Sequence, residues 1–392
     1  MPASIAAAAV LAILSLTAAA AGVAKADTKA DRNPPLVLFI MADDMGYADT
    51  GYNGRRWLQP GQIIPTPTLD RLAIEGVVLE TYVTESICSP ARAALLTGRH
   101  GFRSGITGPL CVDSPAHIPP SFTTLSEAFR SRGFYTAISG KWHVGSATNS
   151  SLPRARGFDS AYGSYGHALN FYERTLAEFK ETVYDYRRDG AVEHAEQGRY
   201  NTDLTTDEAI RQIRLHAAHT GQGAHTGQGG LGGLGGLGGF SGQGGESSDS
   251  FDTAGGVDTA GESGAGAGAP AERGAGGTKE TEAGTTGSRT GARRRGTFLY
   301  VAYNSPHDPL QAPPDNDHNR LCDHISHEWR RLFCTMVVSL DAAVQRLIDE
   351  YVSCLFRGVL FLFLFLFLFQ SSVCIQWVLC VWVVVWRAFA LL

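Results

Sequence analysis

Residues 36–41 form an unbroken apolar run of strand length, bounded on its amino side by Pro34 and Pro35. A run without polar alternation suits a strand buried on both faces, as in a parallel sheet covered by helices. Similar runs at 77–83, 134–139 and 298–303 predict three further strands. Between them the pattern changes to a helical period. A short amphipathic helix opens at 66–73 and is ended by Gly76. A second is predicted over 121–132, with Thr124 and Glu127 spaced as a capping box and Gly133 as the stop. A third covers 206–216, with Asp207 and Glu208 in the favourable first turn. The fourth, over 334–350, places Val337, Leu340, Val344, Leu347 and Ile348 on one face. Strands alternating with helices predict an α/β domain built on a mainly parallel sheet flanked by helices.

Two stretches break this pattern. Residues 217–296 hold 27 of the 46 glycines, with Gly-Gly-Leu repeats and few bulky apolar residues. Such a segment buries too little surface to offset an ordering entropy of roughly 1–2 kcal/mol per residue, so a disordered insertion is expected. It joins a helix to a strand and so belongs at the amino edge of the sheet, opposite the crevice where such sheets bind ligands. Loop closure costs only about 0.6 kcal/mol per doubling of length, which makes the insertion tolerable. The second break is the tail, 354–392, where Leu and Phe alternate over 359–369 and a further apolar run covers 373–386. Its uncharged length exceeds the ~20 residues that span a bilayer, and Arg357 and Arg387 would flank a membrane anchor. The alternative, which we prefer, is a non-native tail: strict Leu/Phe alternation is what a pyrimidine repeat encodes when an intron is read through.

A hydrophobic content of 44% is ordinary for a globular chain of 392 residues. A net charge of −5, with no basic stripe interleaved with aromatics, argues against a nucleic-acid partner. The apolar run 6–21 followed by Ala24-Lys25-Ala26 predicts a secretory signal over 1–26. A disulfide-permissive compartment follows, and Asn149-Ser150-Ser151 fits an N-glycosylation acceptor. Of the seven cysteines, Cys322 and Cys334 are close enough in sequence to pair; the connectivity is otherwise open.

Candidate chemistry collects at the ends of the predicted strands. The first strand ends in Asp43-Asp44-Met45-Gly46, whose adjacent carboxylates repel unless a cation sits between them; hard oxygen ligands point to Ca²⁺, with Mg²⁺ as the alternative. The second delivers Cys88-Ser89-Pro90-Ala91-Arg92, where Pro90 suits a first helical turn and sets Cys88 at a helix N-terminus that favours anions. Gly98 is the expected stop of that helix. The third leads into Gly140-Lys141-Trp142-His143-Val144-Gly145, and the fourth into Asn304-Ser305-Pro306-His307-Asp308. Tyr165, His167 and Tyr172 are candidates for a sugar pocket, though packing and loop roles suit them better. Four strand ends meeting at one carboxyl edge is the geometry of an α/β active site.

Cys-x-Pro-x-Arg, with Leu96-Thr97-Gly98-Arg99-His100, Asp43-Asp44-x-Gly46 and Gly-Lys-Trp-His-x-Gly, resembles the sulfatases, closest to the arylsulfatase B group. Ala91 stands where that family usually has Ser or Thr before the arginine. The resemblance covers 34–351 less the insertion, and implies an alkaline-phosphatase-like sulfatase fold. It further implies that a formylglycine-generating enzyme oxidises Cys88 to formylglycine, whose hydrate attacks sulfur. His143 would then deprotonate the second hydroxyl to expel sulfate. Asp43, Asp44 and the residue-88 oxygen would hold Ca²⁺; Arg92 and Lys141 would steady the nucleophile; His307 would contact sulfate or protonate the leaving oxygen. The implied substrate is a sulfated small molecule or glycan, and the implied residence is lysosomal or extracellular. The family continues with a strand ending in Asp-Asn-Gly-Gly, a lysine and a smaller subdomain. None of these has a counterpart after Tyr351, so the cation is expected to be under-coordinated and the chain to be a truncated form. Two rival expectations are a non-catalytic, membrane-held binder of sulfated glycans and a two-zinc phosphatase or phosphodiesterase.

Overall fold

A computed structural model describes residues 34–82, 84–178, 181–194, 196–220, 294–314, 319–354, 360–366 and 378–385. Strand β1 (Leu36–Asp43) is followed by α1 (Gly51–Trp57), α2 (Pro67–Glu75), β2 (Val77–Tyr82), α3 (Cys88–Thr97), α4 (Gly101–Ser104) and α5 (Leu125–Ser131). Strands β3 (Phe134–Gly140), β4 (Ser160–Gly163), β5 (Thr175–Glu178), β6 (Glu181–Tyr184), β7 (Arg187–Arg188) and β8 (Ala191–Val192) come next. Helix α6 (Asn201–Thr220), β9 (Gly296–Pro306), α7 (Glu328–Cys354), β10 (Leu360–Leu366) and β11 (Val378–Val385) complete the described chain.

Nine of these strands form one sheet in the order β2-β11-β10-β1-β9-β3-β4-β7-β8, while β5 and β6 make a separate hairpin. From β10 to β4 every neighbour is parallel. The two margins are antiparallel. Because β2 is two antiparallel steps from β10, it runs in the same direction as β1, and Cys88 emerges at the same edge as Asp43.

Every residue of β1 is buried, and the reason is visible in what its two faces touch. Leu36, Leu38 and Ile40 pack with Leu69 and Leu72 of α2, Ile213 of α6 and Val337, Leu340 and Val344 of α7. Val37, Phe39 and Met41 face the other way, against Ala91, Ala93 and Leu96 of α3 and Trp142 and Phe158. A strand covered on both sides has no polar face to show, which accounts for the unbroken apolar run.

The expected helical stripe of α7 is buried throughout, from Val337 to Ile348. The expected capping box is formed: Glu127 N donates to Thr124 Oγ1 at 3.2 Å and Thr124 N donates to Glu127 Oε2 at 2.8 Å. Residues 121–124 precede α5 rather than belonging to it. Cys322 and Cys334 form a disulfide.

Helix α6 differs from its expectation, running from Asn201 to Thr220 rather than over 206–216. Its first turns carry no apolar signal because they bind the sheet through polar groups. Ser139 Oγ donates to Thr205 O at 2.8 Å, and Thr206 Oγ1 lies 2.9 Å from the Tyr303 hydroxyl. Asp207 and Glu208 are therefore not first-turn residues: Asp207 pairs with Arg199 and Arg346, and buried Glu208 with Arg188 and Arg211. The helix also covers the first residues of the expected insertion; the signal segment, residues 221–293 of the insertion, and residues 355–359, 367–377 and 386–392 of the tail lie outside the described residues. Where the tail is described it forms β10 and β11. Among the described residues no helix is long and apolar enough to cross a membrane. Asn149 is exposed, on a 3₁₀ turn whose Ser151 is buried.

Helix α2 has no local side-chain cap; its first N–H groups are taken by a distant residue. Asp341 of α7, buried, accepts from Thr68 N at 3.0 Å and from Leu69 N at 2.9 Å. Losing this bridge leaves two buried donors unpaired, so Asp341→Ala is expected to cost about 2–3 kcal/mol in urea unfolding.

Candidate active site

Four segments bring their side chains to the carboxyl edge of the sheet. β1 ends on Asp43, and α3 opens with Cys88 and carries Arg92 one turn further on. Gly98 ends α3 in the left-handed conformation, φ +66°. β3 ends at Gly140, where φ is +111° and a Cβ would lie 1.9 Å from Ala302 O, so only glycine permits the contact with β9. The next three residues are stitched across two elements. Lys141 N donates to Ala302 O at 2.7 Å, Trp142 N to Ser164 O at 2.9 Å and His143 N to Tyr165 O at 3.1 Å. Trp142 is buried against Phe158, which leaves Lys141 and His143 on either side of it as site residues.

At the centre one carboxylate oxygen receives two cations. Arg92 Nη2 donates to Asp43 Oδ2 at 2.8 Å, and Lys141 Nζ lies 2.6 Å from the same atom, off hydrogen-bond alignment. Arg92 Nη1 donates to Lys141 O at 2.7 Å and reaches the Tyr300 hydroxyl at 3.5 Å. All three charged groups are buried. Burial would raise the pKa of Asp43, but the adjacent Lys141 and Arg92 charges outweigh it and hold the carboxyl well below the usual range. Two cations share one carboxylate, which leaves surplus positive charge beside Cys88.

Cys88 is half-buried, and burial pushes its thiol up despite the nearby Lys141 and Arg92, so the side chain rests as a neutral thiol. His143 Nε2 lies 2.9 Å from Leu110 O, and a carbonyl only accepts, so Nε2 carries the hydrogen. Its Nδ1 is then a buried lone pair without a hydrogen-bond partner. Burial first, and then the charges of Lys141 and Arg92, hold His143 well below the usual histidine range and keep it neutral.

Asp43, Asp44 and His307 offer ligand atoms that lie within 4.8 Å of one another. Asp44, half-buried, is pushed up to about 6 by burial and then by the charge of Asp43. Two carboxylates and an imidazole converging in this way fit a divalent cation, whose charge would relieve that repulsion. The structure thus brings His307 into the donor group with the two aspartates, while Cys88 stands outside that group of three. His307 Nδ1 also lies 2.7 Å from Asp308 O.

Of the residues weighed for a sugar pocket, Tyr172 is a packing residue: its hydroxyl donates to Ala312 O and its ring lies on Tyr200. His167 lies beside His143, ring centres 5.7 Å apart, and the Tyr165 ring lies under Arg187. Sequence reading missed Tyr300, hidden in an apolar strand, and Leu110, which contributes only a backbone oxygen and leaves no side-chain signal.

Residues 35–223 match the family model described as Sulfatase. This part of the chain is similar to the sulfatases. The chain is 33% identical to arylsulfatase J of Mus musculus over 190 residues, 48% of this chain and 31% of that protein. It is 40% identical to arylsulfatase A of Homo sapiens over 156 residues, 39% of this chain and 28% of that protein. The match therefore spans less than a third of the length of either curated relative. A solved structure of Ps i-CgsB in complex with k-i-k-neocarrahexaose shares the fold, with a TM-score of 0.60 at 20% identity, covering 89% of this chain and 65% of that one. The matched residues include Asp43, Cys88, Arg92, Lys141 and His143, whereas His307 follows β9, beyond the match.

Proposed function

We propose that this protein is a sulfuric ester hydrolase that takes sulfate from an aryl or glycan alcohol. The observation that carries the reading is the surplus positive charge that Arg92 and Lys141 leave beside Cys88, at the N-terminus of α3. A buried site with this balance favours an anion, and a sulfuryl group accumulates negative charge on its oxygens as the ester bond breaks. Converted to formylglycine in the secretory pathway by the formylglycine-generating enzyme, Cys88 would supply a hydrated aldehyde oxygen as the nucleophile. Ca²⁺, held by the Asp43 and Asp44 carboxylates and the residue-88 oxygen beside His307, would supply Lewis acidity toward a sulfate oxygen.

The remaining work falls to the chain's own groups. Lys141 has three N–H donors and one carboxylate oxygen of Asp43 beside it, so donors remain for the substrate's sulfate oxygens. Arg92, anchored on Asp43 and on the Lys141 carbonyl, fixes the positive field at residue 88. His143 takes a proton on Nδ1, the atom without a partner. Glycans enter as the substrate class because a structural neighbour was solved with neocarrahexaose. The secretory route leads to a lysosomal or extracellular protein.

A second reading is a binder of sulfated glycans without turnover, which would use the same Arg92 and Lys141 charges. Aryl-sulfate hydrolysis by the secreted full chain, with and without EDTA, separates the two. The enzyme reading expects Ca²⁺-dependent turnover together with an aldehyde at residue 88 by peptide mass spectrometry. An unmodified thiol in every molecule alongside full turnover would overturn it.

A further inference from the structure

Asp43 is fixed by Arg92 and Lys141, but Asp44 is carried by the turn that follows β1, and that turn is held from outside the site. Gly46 N donates to Asp49 Oδ2 at 2.5 Å, and Asp49 N returns to Gly46 O at 2.9 Å. A Cβ on residue 46 would lie 2.6 Å from Asp49 Oδ2, so glycine is what lets the carboxylate close the turn. The other oxygen of Asp49 accepts from Arg330 Nη1 at 2.6 Å, and Arg330 Nη2 donates to Gln62 O at 3.3 Å.

Arg330 lies in the first turn of α7, on the segment closed by the Cys322–Cys334 disulfide. His324, in the same closed segment, lies with Nε2 2.8 Å from Ile63 O. Asp49, Gln62, His327 and Arg330 line an open cavity of about 470 Å³ on this side of the turn. The Asp49 and Arg330 side chains are only 12% and 26% exposed, so their pairing is partly shielded from solvent.

We propose that Asp49 and Arg330 are positioning residues for the cation site: they lock the 44–49 turn and so set where the Asp44 carboxylate meets Asp43 and His307. The inference rests on reading those three residues as a cation site. A ligand on a loose turn spends binding free energy on its own ordering, and groups that orient metal ligands typically account for about 10–100-fold in metal affinity. The disulfide belongs to the same device, because it holds the segment from which Arg330 reaches across.

Calorimetric Ca²⁺ titration of the full chain tests this, comparing the unaltered protein with Arg330→Met, Arg330→Lys, the Cys322→Ser/Cys334→Ser pair and Asp43→Ala. Arg330→Met is expected to bind Ca²⁺ about 10–100-fold more weakly. Arg330→Lys, which keeps the charge but not the two-pronged donor, should recover part of that loss. The serine pair should weaken binding in the unaltered protein yet add little on top of Arg330→Met, the non-additivity expected of groups acting through one contact. Melting in excess EDTA should change little for Arg330→Lys, since an ion-free site gains nothing from being ordered. Wild-type affinity in Arg330→Met or Arg330→Lys, with Asp43→Ala abolishing binding, overturns the positioning role and leaves the cation site standing. Unchanged affinity in Asp43→Ala removes the cation site itself. Should Arg330→Met not fold, the lysine variant and the serine pair decide the question, additive losses in the combined variant counting against it.

Discussion

Cys88→Ala is expected to reduce aryl-sulfate turnover by on the order of 10⁴-fold or more, the scale seen when a covalent nucleophile is removed. The folded state should hardly notice. Residue 88 is half-buried at the first position of α3, the side chain lost is small, and alanine is a good helix former. Thermal melting and turnover measured on the same preparation check both halves of this expectation. Cys88→Ser sharpens it. A serine hydroxyl next to Arg92 and Lys141 can attack sulfur, but it has no second hydroxyl through which to expel sulfate. That variant is expected to give a stoichiometric burst followed by a stall. Steady turnover by Cys88→Ser would remove the aldehyde from the account.

The second large effect concerns stability and metal together. Asp43 is the counter-charge for two fully buried cations, Arg92 and Lys141. Removing one partner of such a group leaves uncompensated charge in the interior, which costs about 3–5 kcal/mol. Against a total stability of about 5–15 kcal/mol, that is a large share. Asp43→Ala should therefore lower the urea midpoint strongly and abolish Ca²⁺ binding by calorimetry. Added sulfate should restore part of the stability of the variant, because an anion takes over the role of the lost carboxylate. A variant as stable as the parent would show that these cations do not depend on Asp43.

The sequence pattern revealed the parallel centre of the sheet and the covering helices wherever an element carries an apolar face. β1 and α7 are of this kind, and so is the glycine stop after α3. It failed where polar groups do the joining. Thr202, Thr205 and Thr206 are buried at the start of α6, where the Thr205 carbonyl accepts from Ser139 and the Thr206 hydroxyl meets that of Tyr303, so the helix begins five residues before its apolar period does. The short helix α1 and the hairpin β5–β6 have too little apolar alternation to stand out. At the site, motif spacing named Asp43, Asp44, Cys88, Arg92, Lys141, His143 and His307. It could not say that His307 shares space with the aspartates, since residues some 260 positions apart meet only through the pairing of β9 with β1. Nor could it find Asp49 with Arg330, where an acidic and a basic residue far apart in an unremarkable sequence look like ordinary surface charge.

The order of strands across the sheet also bears on how the molecule is assembled. Among the described strands β2, which leads to Cys88, joins the sheet through β11 and β10, with Tyr82 opposite Val378 and Leu360 opposite Leu36. Contacts spanning so much sequence are slow to form, and here they join strands some three hundred positions apart. The segment leading to the reactive cysteine thus gains its neighbour on that flank only after a strand almost three hundred positions further along has been made, and it settles late.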